Sequence, residues 1–478
     1  MKLLTFALTS AIFVSSATAQ LSGSVGPSTT REHKAATKVC NVLDYGAKAS
    51  KTSDVGPAIA SAWAACKSGG QVYIPAGDYG MSTWVTLNGG TAVSINLDGV
   101  IYRTGWVRSL SLRDFSLTER YYSTAGGNMI YVRHTTDFEL YSSSSKGAVQ
   151  GYGYTFHSGL STFNHLSSMS NLSIQAGTYG PRILRLDDVT NFSVHDLALV
   201  DSPAFHFTMD TCTNGEVYNM IIRGGNEGGL DGIDIWGTNI HVHDVEVTNK
   251  DECVTVKSPA KNILVENVFC NWSGGCAIGS LGTDTDISYV KYNNIYTQNA
   301  NQMMMIKSNG GSGSFSNSVF SNFIGHSNAY TLNIDGNWAK SSAAGSGVLY
   351  SNLTFSSWKG TASNGVQRAP IQLLCPSAVP CHDIKISDFN IGTETGKSVL
   401  QKCANAYGSG AGCLNDAKSD FKSYNTVTKT MTNVAAYKQT NMPGELTEGV
   451  GITASIAIPT VPITFFPGAT PAIARLGI

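Results

Sequence analysis

A short pattern returns along the middle of this chain and limits its fold more than any other feature. Apolar residues flank an Asp or Asn in Val194-His195-Asp196-Leu197, Val217-Tyr218-Asn219-Met220, Val242-His243-Asp244-Val245 and Val265-Glu266-Asn267-Val268. It continues less regularly at Tyr292-Asn293-Asn294-Ile295, Phe320-Ser321-Asn322-Phe323, Tyr350-Ser351-Asn352-Leu353 and Ile386-Ser387-Asp388-Phe389. The Asp/Asn positions step by 23, 25, 23, 27, 28, 30 and 36 residues. Periods of this size indicate stacked repeats. Within each period the alternation is two-fold, rich in β-branched and aromatic residues, with Gly, Asn and Ser between runs. Short strands joined by tight turns and repeated every 20-odd residues describe the rungs of an all-β parallel β-helix. Asn and Asp suit its corners because they tolerate left-handed backbone. A β-sandwich would also alternate, but it predicts no such period.

Residues 55–66, VGPAIASAWAAC, form the one clear helical segment and are expected to cap the open N-terminal end of the stack. The sequence divides into three spans: 1–19, a solenoid over 20–425, and a Ser/Thr- and Pro-containing tail, 426–478, read as a strap. The first span carries Lys2, a short apolar run over 3–14 and Ala17-Thr18-Ala19 before Gln20, the layout of a secretory signal peptide. No later stretch is apolar enough to anchor the chain in a membrane. With 32 Lys+Arg against 33 Asp+Glu, binding to nucleic acid by bulk charge is excluded. An apolar share of 42% provides a large core.

Ten cysteines agree with export. Close spacing suggests the couples Cys40–Cys66, Cys253–Cys270, Cys375–Cys381 and Cys403–Cys413, although connectivity does not follow from sequence. Cys212 and Cys276 are left to pair or to stay free and buried. None of the couples has the spacing of a zinc site. Asn171, Asn191, Asn271 and Asn352 head glycosylation sequons.

In a β-helix, equivalent residues of successive rungs stack about 4.8 Å apart, so chemistry can be assembled from one residue per rung. Asp210, Asp231 with Asp234, and Asp251 with Glu252 recur at such intervals. Only 14% of this chain is charged, against about 25% in a typical domain. Carboxylates gathered in so uncharged a chain raise one another's pKa, and the cost calls for a function. Coordination of a hard cation and acid–base work on a glycosidic bond both fit. Asp196, Asp244 and Asp388 read as turn residues. Neighbours on a regular strand point to opposite faces, so Asp251 and Glu252 share a cleft only where the strand bulges or ends.

These residues carry a resemblance. FHFTMDTC (205–212), GGNEGGLDGIDIWG (224–237), VTNKDECVTVKS (247–258), NWSGGCAIGSLG (271–282) and MIKSNGGSG (305–313) resemble, in order, the motifs of the fungal pectin-degrading glycoside hydrolases of family 28, above all the rhamnogalacturonases. The resemblance implies a right-handed parallel β-helix of the pectin-lyase-like kind and hydrolysis by single displacement with inversion, with no metal or other cofactor. By position, Asp251 looks like the general acid and Asp231 with Glu252 like the pair that activates water. Asp234 and Asp210 are their neighbours on the cleft floor. Inversion generally requires about 6.5–9.5 Å between the working carboxyls. The family's catalytic-region His is missing from 274–279, and Met305 stands where polygalacturonases carry an Arg that would fork a substrate carboxylate. That loss suggests a neutral sugar in one central subsite, with Lys307 left to pair with a galacturonate carboxylate. His326 is a second-tier candidate for the missing imidazole, and Trp236 and Trp338 for stacking on sugar.

The implied partner is pectic polysaccharide, rhamnogalacturonan I, and the resemblance favours a secreted monomer. A polygalacturonase, a calcium-dependent lyase and a non-catalytic sugar-binding solenoid are the rivals. Residues 106–125 and 158–176 break the family pattern, as surface loops or as translated short introns; the sequence of the transcript separates these readings.

Overall fold

The computed structural model describes residues 21–104, 127–156, 180–339, 342–416, 420–434, 451, 453–462 and 465. The signal-peptide span, the stretches 106–125 and 158–176, and Asn171 lie outside the described residues. The chain winds as a right-handed parallel β-helix. In its middle the strands Arg182–Val200, Phe207–Arg223, Ile233–Thr248 and Glu252–Asn271 each wrap around a whole rung, and each pairs in parallel with the next. Beyond Asn271 the rung splits. Short strands Gly275–Leu281, Gln302–Ser308, Tyr330–Asp335 and Ile371–Leu374 stack on one face, and Thr285–Gln298, Gly313–Asn328, Leu349–Ala362 and Cys381–Thr393 wrap the rest.

The recurring Asp and Asn are corners of the helix. Each rung turns at two left-handed residues five positions apart. The pairs are Asn191/Asp196, Asn214/Asn219, Asn239/Asp244, Asn262/Asn267, Tyr289/Asn294, Asn317/Asn322, Asn352/Ser357 and Asp383/Asp388, all with φ between 48° and 59°. Side-chain amides run along the stack: Asn322 Nδ2 donates to Asn294 Oδ1 at 3.0 Å, and Asn239 Nδ2 to Asn214 Oδ1 at 2.9 Å. The structure corrects one column. Asn352 stacks on Asn317, its Nδ2 2.8 Å from Asn317 Oδ1, and it is Ser357 that follows Asn322. The sequence pattern jumps columns there because Ser replaces Asn at a corner.

Between the corners, inward residues form continuous columns. Val194, Val217, Val242, Val265, Tyr292, Phe320, Phe355 and Ile386 are paired rung to rung and buried. The column turns aromatic toward the C-terminus, where Phe320 stacks on Phe355 at 4.9 Å and Phe323 on Trp358 at 4.2 Å. The capping helix runs Gly56–Cys66 and buries Ala58, Ile59, Ala62 and Trp63 against the first rung. A second short helix, Arg31–Thr37, has no counterpart in the sequence reading, since seven residues are too few to show a period. It buries Lys34, whose Nζ lies 3.1 Å from Asp137.

All four close-spaced couples are disulfides. Cys212 and Cys276 are free and buried, and burial pushes both thiols up to about 12. Asn271 is fully buried, which leaves no room for a glycan and corrects that sequon. Asn352 is exposed and Asn191 half-buried at a corner. In the tail, Val427–Thr432 pairs antiparallel with Ser398–Ala404. Further on, Ile456, Val461 and Phe465 pack on Ala148, Ala198, Val200 and Ile221.

Candidate active site

The acidic residues gather on the outward face of one sheet, where the register fixes a floor column: Tyr131, Arg185, Thr208, Asp234, Thr255, Ala277, Met305 and Asn333. Val254, Val256, Met304 and Ile306 point inward, so two-fold alternation turns Lys257, Met305 and Lys307 outward. Asp231 and Asp251 occupy the turns just before Ile233–Thr248 and Glu252–Asn271, and Glu252 is the first residue of its strand. The strand therefore begins at the acidic pair, and both side chains reach the cleft. Asn249 ties the two turns together, its Nδ2 donating to Leu230 O at 2.7 Å and Glu252 O at 3.0 Å. The next turn packs on the pair closely: a Cβ at Gly274 would stand 2.8 Å from the Asp251 carbonyl carbon. Glycine at 274 is required by that contact. The Cys253–Cys270 disulfide pins the residue after Glu252 to the other end of its own strand.

Electrostatics then separate the carboxyls. Lys307 is ion-paired with Glu252. Lys257 Nζ lies 3.3 Å from Asp234 Oδ1 and 3.5 Å from Asp231 Oδ2. Arg185 is ion-paired with half-buried Asp210, and Asp187 with Arg133 at 2.9 Å. Among the described residues, Asp251 has no cation at ion-pair distance. It accepts the N–H of Gly229 at 2.5 Å and that of Glu252 at 3.0 Å. Burial and the neighbouring Glu252 carry its carboxyl up to about 6. Burial also raises Asp231, with the charges of Asp234 and Asp251 adding to it, and Asp234 is raised chiefly by its complete burial.

The structure thus brings together Asp231, Asp234, Asp251, Glu252 and Lys307, with Asp210 at the N-terminal side. It does not bring in His326, which lies near the end of the strand Gly313–Asn328, rungs beyond Glu252. Its Nδ1 faces Thr361 Oγ1 at 3.4 Å and Glu394 at 3.5 Å. Lys307 is occupied by Glu252 and lies 4.5 Å over the ring of Trp338. Trp338 is exposed and outside any strand, while Trp236 is half-buried within one. Sequence reasoning missed Lys257, Arg182 and Arg185. The signal for Lys257 was present, because alternation with the buried apolar residues of its strand, Val254 and Val256, places it on the cleft face.

Asp231, Asp251 and Glu252 each offer an oxygen within 4.8 Å of the others, close enough to hold a cation. Calcium takes six to eight oxygens. Here three carboxylates converge, and two of them already face lysines. The donor set does not fit calcium.

Residues 123–413 match the family described as Glycosyl hydrolases family 28. Rhamnogalacturonase A of Aspergillus aculeatus is 58% identical over 459 residues, covering 96% of either chain. A probable rhamnogalacturonase B of Aspergillus fumigatus is 59% identical over 457 residues, 95% of this chain and 81% of that one. Among solved structures, the endo-xylogalacturonan hydrolase of Aspergillus tubingensis superposes with a TM-score of 0.63 at 21% identity, covering 80% of this chain and 98% of its own. A polygalacturonase of Erwinia carotovora does so with 0.56 at 16% identity, covering 79% and 98%. This parallel β-helix is therefore a glycoside hydrolase, and the chain belongs to glycosyl hydrolase family 28.

Proposed function

We propose that this enzyme is secreted, works as a monomer, and cuts within the rhamnogalacturonan I backbone at the galacturonic acid–rhamnose α-1,2 bond, with inversion. The observation that carries the reading is the division of the carboxyls by two lysines. Asp231, Asp234 and Glu252 face ammonium groups, while among the described residues Asp251 faces none. Burial raises Asp231 and Asp234 and lifts Asp251 to about 6, so the buried carboxyls hold a proton, and the one that no ammonium faces is placed to give it up. A carboxyl that keeps its proton in mildly acidic solution serves as general acid. Asp251 gives that proton to the glycosidic oxygen as the C–O bond breaks. Asp231 and Glu252 take a proton from the water that attacks the anomeric carbon.

Inversion rests on family membership. The nearest oxygens of Asp231, Asp251 and Glu252 lie within 4.8 Å, closer than the general spacing of about 6.5–9.5 Å, so the anomer of the first product is the deciding measurement. The alternating polymer is supported by the relatives' names and by the cleft floor. Ala277 and Met305 on the C-terminal side are uncharged and suit a neutral rhamnose, while the guanidiniums of Arg182 and Arg185 lie on the N-terminal side. Export is supported by the leader-like residues 1–19 and four disulfides.

The test is product analysis on saponified rhamnogalacturonan I near pH 4–5, with and without chelator. Reducing ends are expected without unsaturated products, unaffected by chelator. The first product is expected as the β-anomer by NMR. Asp251→Asn should lower kcat by about 10²–10⁴. Ultraviolet-absorbing products, or cleavage of homogalacturonan alone, would overturn the reading.

A further inference from the structure

We propose that Lys257 is a positioning residue of the hydrolytic reaction: set between Asp231 and Asp234, its ammonium favours the charged form of Asp231 and aims it at the cleft as part of the water-activating base. The proposal rests on the hydrolase reading above and adds a residue to it.

The geometry is a buried three-body arrangement. Lys257 leaves its strand on the cleft side five residues after Glu252. Its Nζ bridges Asp234 Oδ1 at 3.3 Å and Asp231 Oδ2 at 3.5 Å, and its side chain is only 14% exposed. The Trp236 ring lies 5.8 Å from the ammonium. Asp234 is fully buried, and among the described residues Lys257 is the one cation at ion-pair distance from it. Its negative charge is offset chiefly by Lys257. The other charged groups facing this cluster are already engaged or further off. Lys307 is on Glu252 and Arg185 is on Asp210; Glu252 in turn faces Asp231 and Asp234, and Asp251 adds a carboxyl from the next turn. Arg182 acts on Asp231 and Asp234 only through space. The His206 ring meets the Asp231 carbonyl at 3.2 Å and not its carboxyl.

Two adjacent buried carboxylates cannot both stay ionised without a cation between them. Burial raises both carboxyls even beside Lys257, which pulls in the opposite direction. Without Lys257 the Asp231–Asp234 pair holds its proton to a still higher pH, and the base is lost until then. Lys257 is itself raised: burial alone would lower it, but Asp234 and Asp231 outweigh that. An ammonium so held remains charged throughout the working range.

The experiment is the pH dependence of kcat and kcat/KM, by reducing-end release from the pectic polymer the wild type cleaves, for Lys257→Met, Lys257→Gln and Lys257→Arg. Thermal unfolding of each variant and an Asp251→Asn control are run in parallel. In the Met and Gln variants the acidic limb of the profile should move up by at least about one pH unit, with kcat at pH 4–5 down about ten-fold or more and KM within two-fold. Arg should restore the limb. A folded Met or Gln variant with the wild-type profile overturns the proposal, as does a rise in KM with kcat intact, which would make Lys257 a substrate ligand. If neither neutral variant folds, an Arg variant whose acidic limb shifts as well overturns it, and one that keeps the limb supports it. Wild-type activity in Asp251→Asn would instead sink the hydrolase reading, whatever Lys257 does.

Discussion

At Asp251 the proposed role as general acid and the stability of the fold pull in opposite directions. Its folded carboxyl is raised to about 6 from an ordinary 3.8, so the native state holds the proton more tightly than the unfolded chain. Stability is therefore lost as pH rises from about 4 to 6, and above 6 the full cost is present. A rise of this size corresponds to about 3 kcal/mol at most. Asp251→Asn should raise the melting temperature at pH 7, leave it nearly unchanged at pH 3, and abolish most turnover; calorimetry at the two pH values checks the sign. The acidic positions were legible because they fall one rung apart in a chain poor in charge. Their roles were not. Lys307 was expected to meet substrate, yet it meets Glu252 across two rungs, a diagonal contact that one-dimensional spacing does not encode.

At the scale of the element, the long strands carry a second ionic column on the face beneath the N-terminal segment. Tyr141, His195, Tyr218 and His243 stack ring on ring at 5.5, 4.4 and 5.2 Å. His195 bridges Glu139 at 2.9 Å and Asp196 at 2.7 Å; His243 bridges Glu216 at 3.2 Å and Asp244 at 2.7 Å. Burial alone would lower both imidazoles, but their flanking carboxylates raise them above 6.5. The stabilisation is complete below 6.5 and lost as pH rises through the higher folded value. His243→Gln should thus melt at least about 2 °C lower at pH 5 and lose less between pH 5 and 8 than the wild type, as followed by circular dichroism. Asp196 and Asp244, read from sequence as corner residues, are corners and also the partners of these imidazoles.

For the whole molecule, the open ends of the stack are the hazard, because a terminal strand offers unpaired backbone groups to another chain. The helix Gly56–Cys66 covers one end, and Val427–Thr432 pairs with the last cleft-face strand, Ser398–Ala404, at the other. A Thr428→Pro/Thr430→Pro variant should keep its rungs and the packing of Ile456, Val461 and Phe465 but leave that strand unpaired. Light scattering should show concentration-dependent association, with turnover per folded molecule within about two-fold of the wild type, since the carboxylates lie several rungs from Ser398–Ala404. Fold class, capping helix, corner residues and the acidic column could be read from the sequence alone. Each rests on periodicity, and periodicity is local information repeated. Four matters were decided only by the tertiary structure. They are the break of the strand at Glu252, the lysines that divide the carboxyls, the separation of His326 from them, and the burial of Asn271. Each depends on which rung a side chain meets and how much water that contact excludes, and a linear spacing specifies neither.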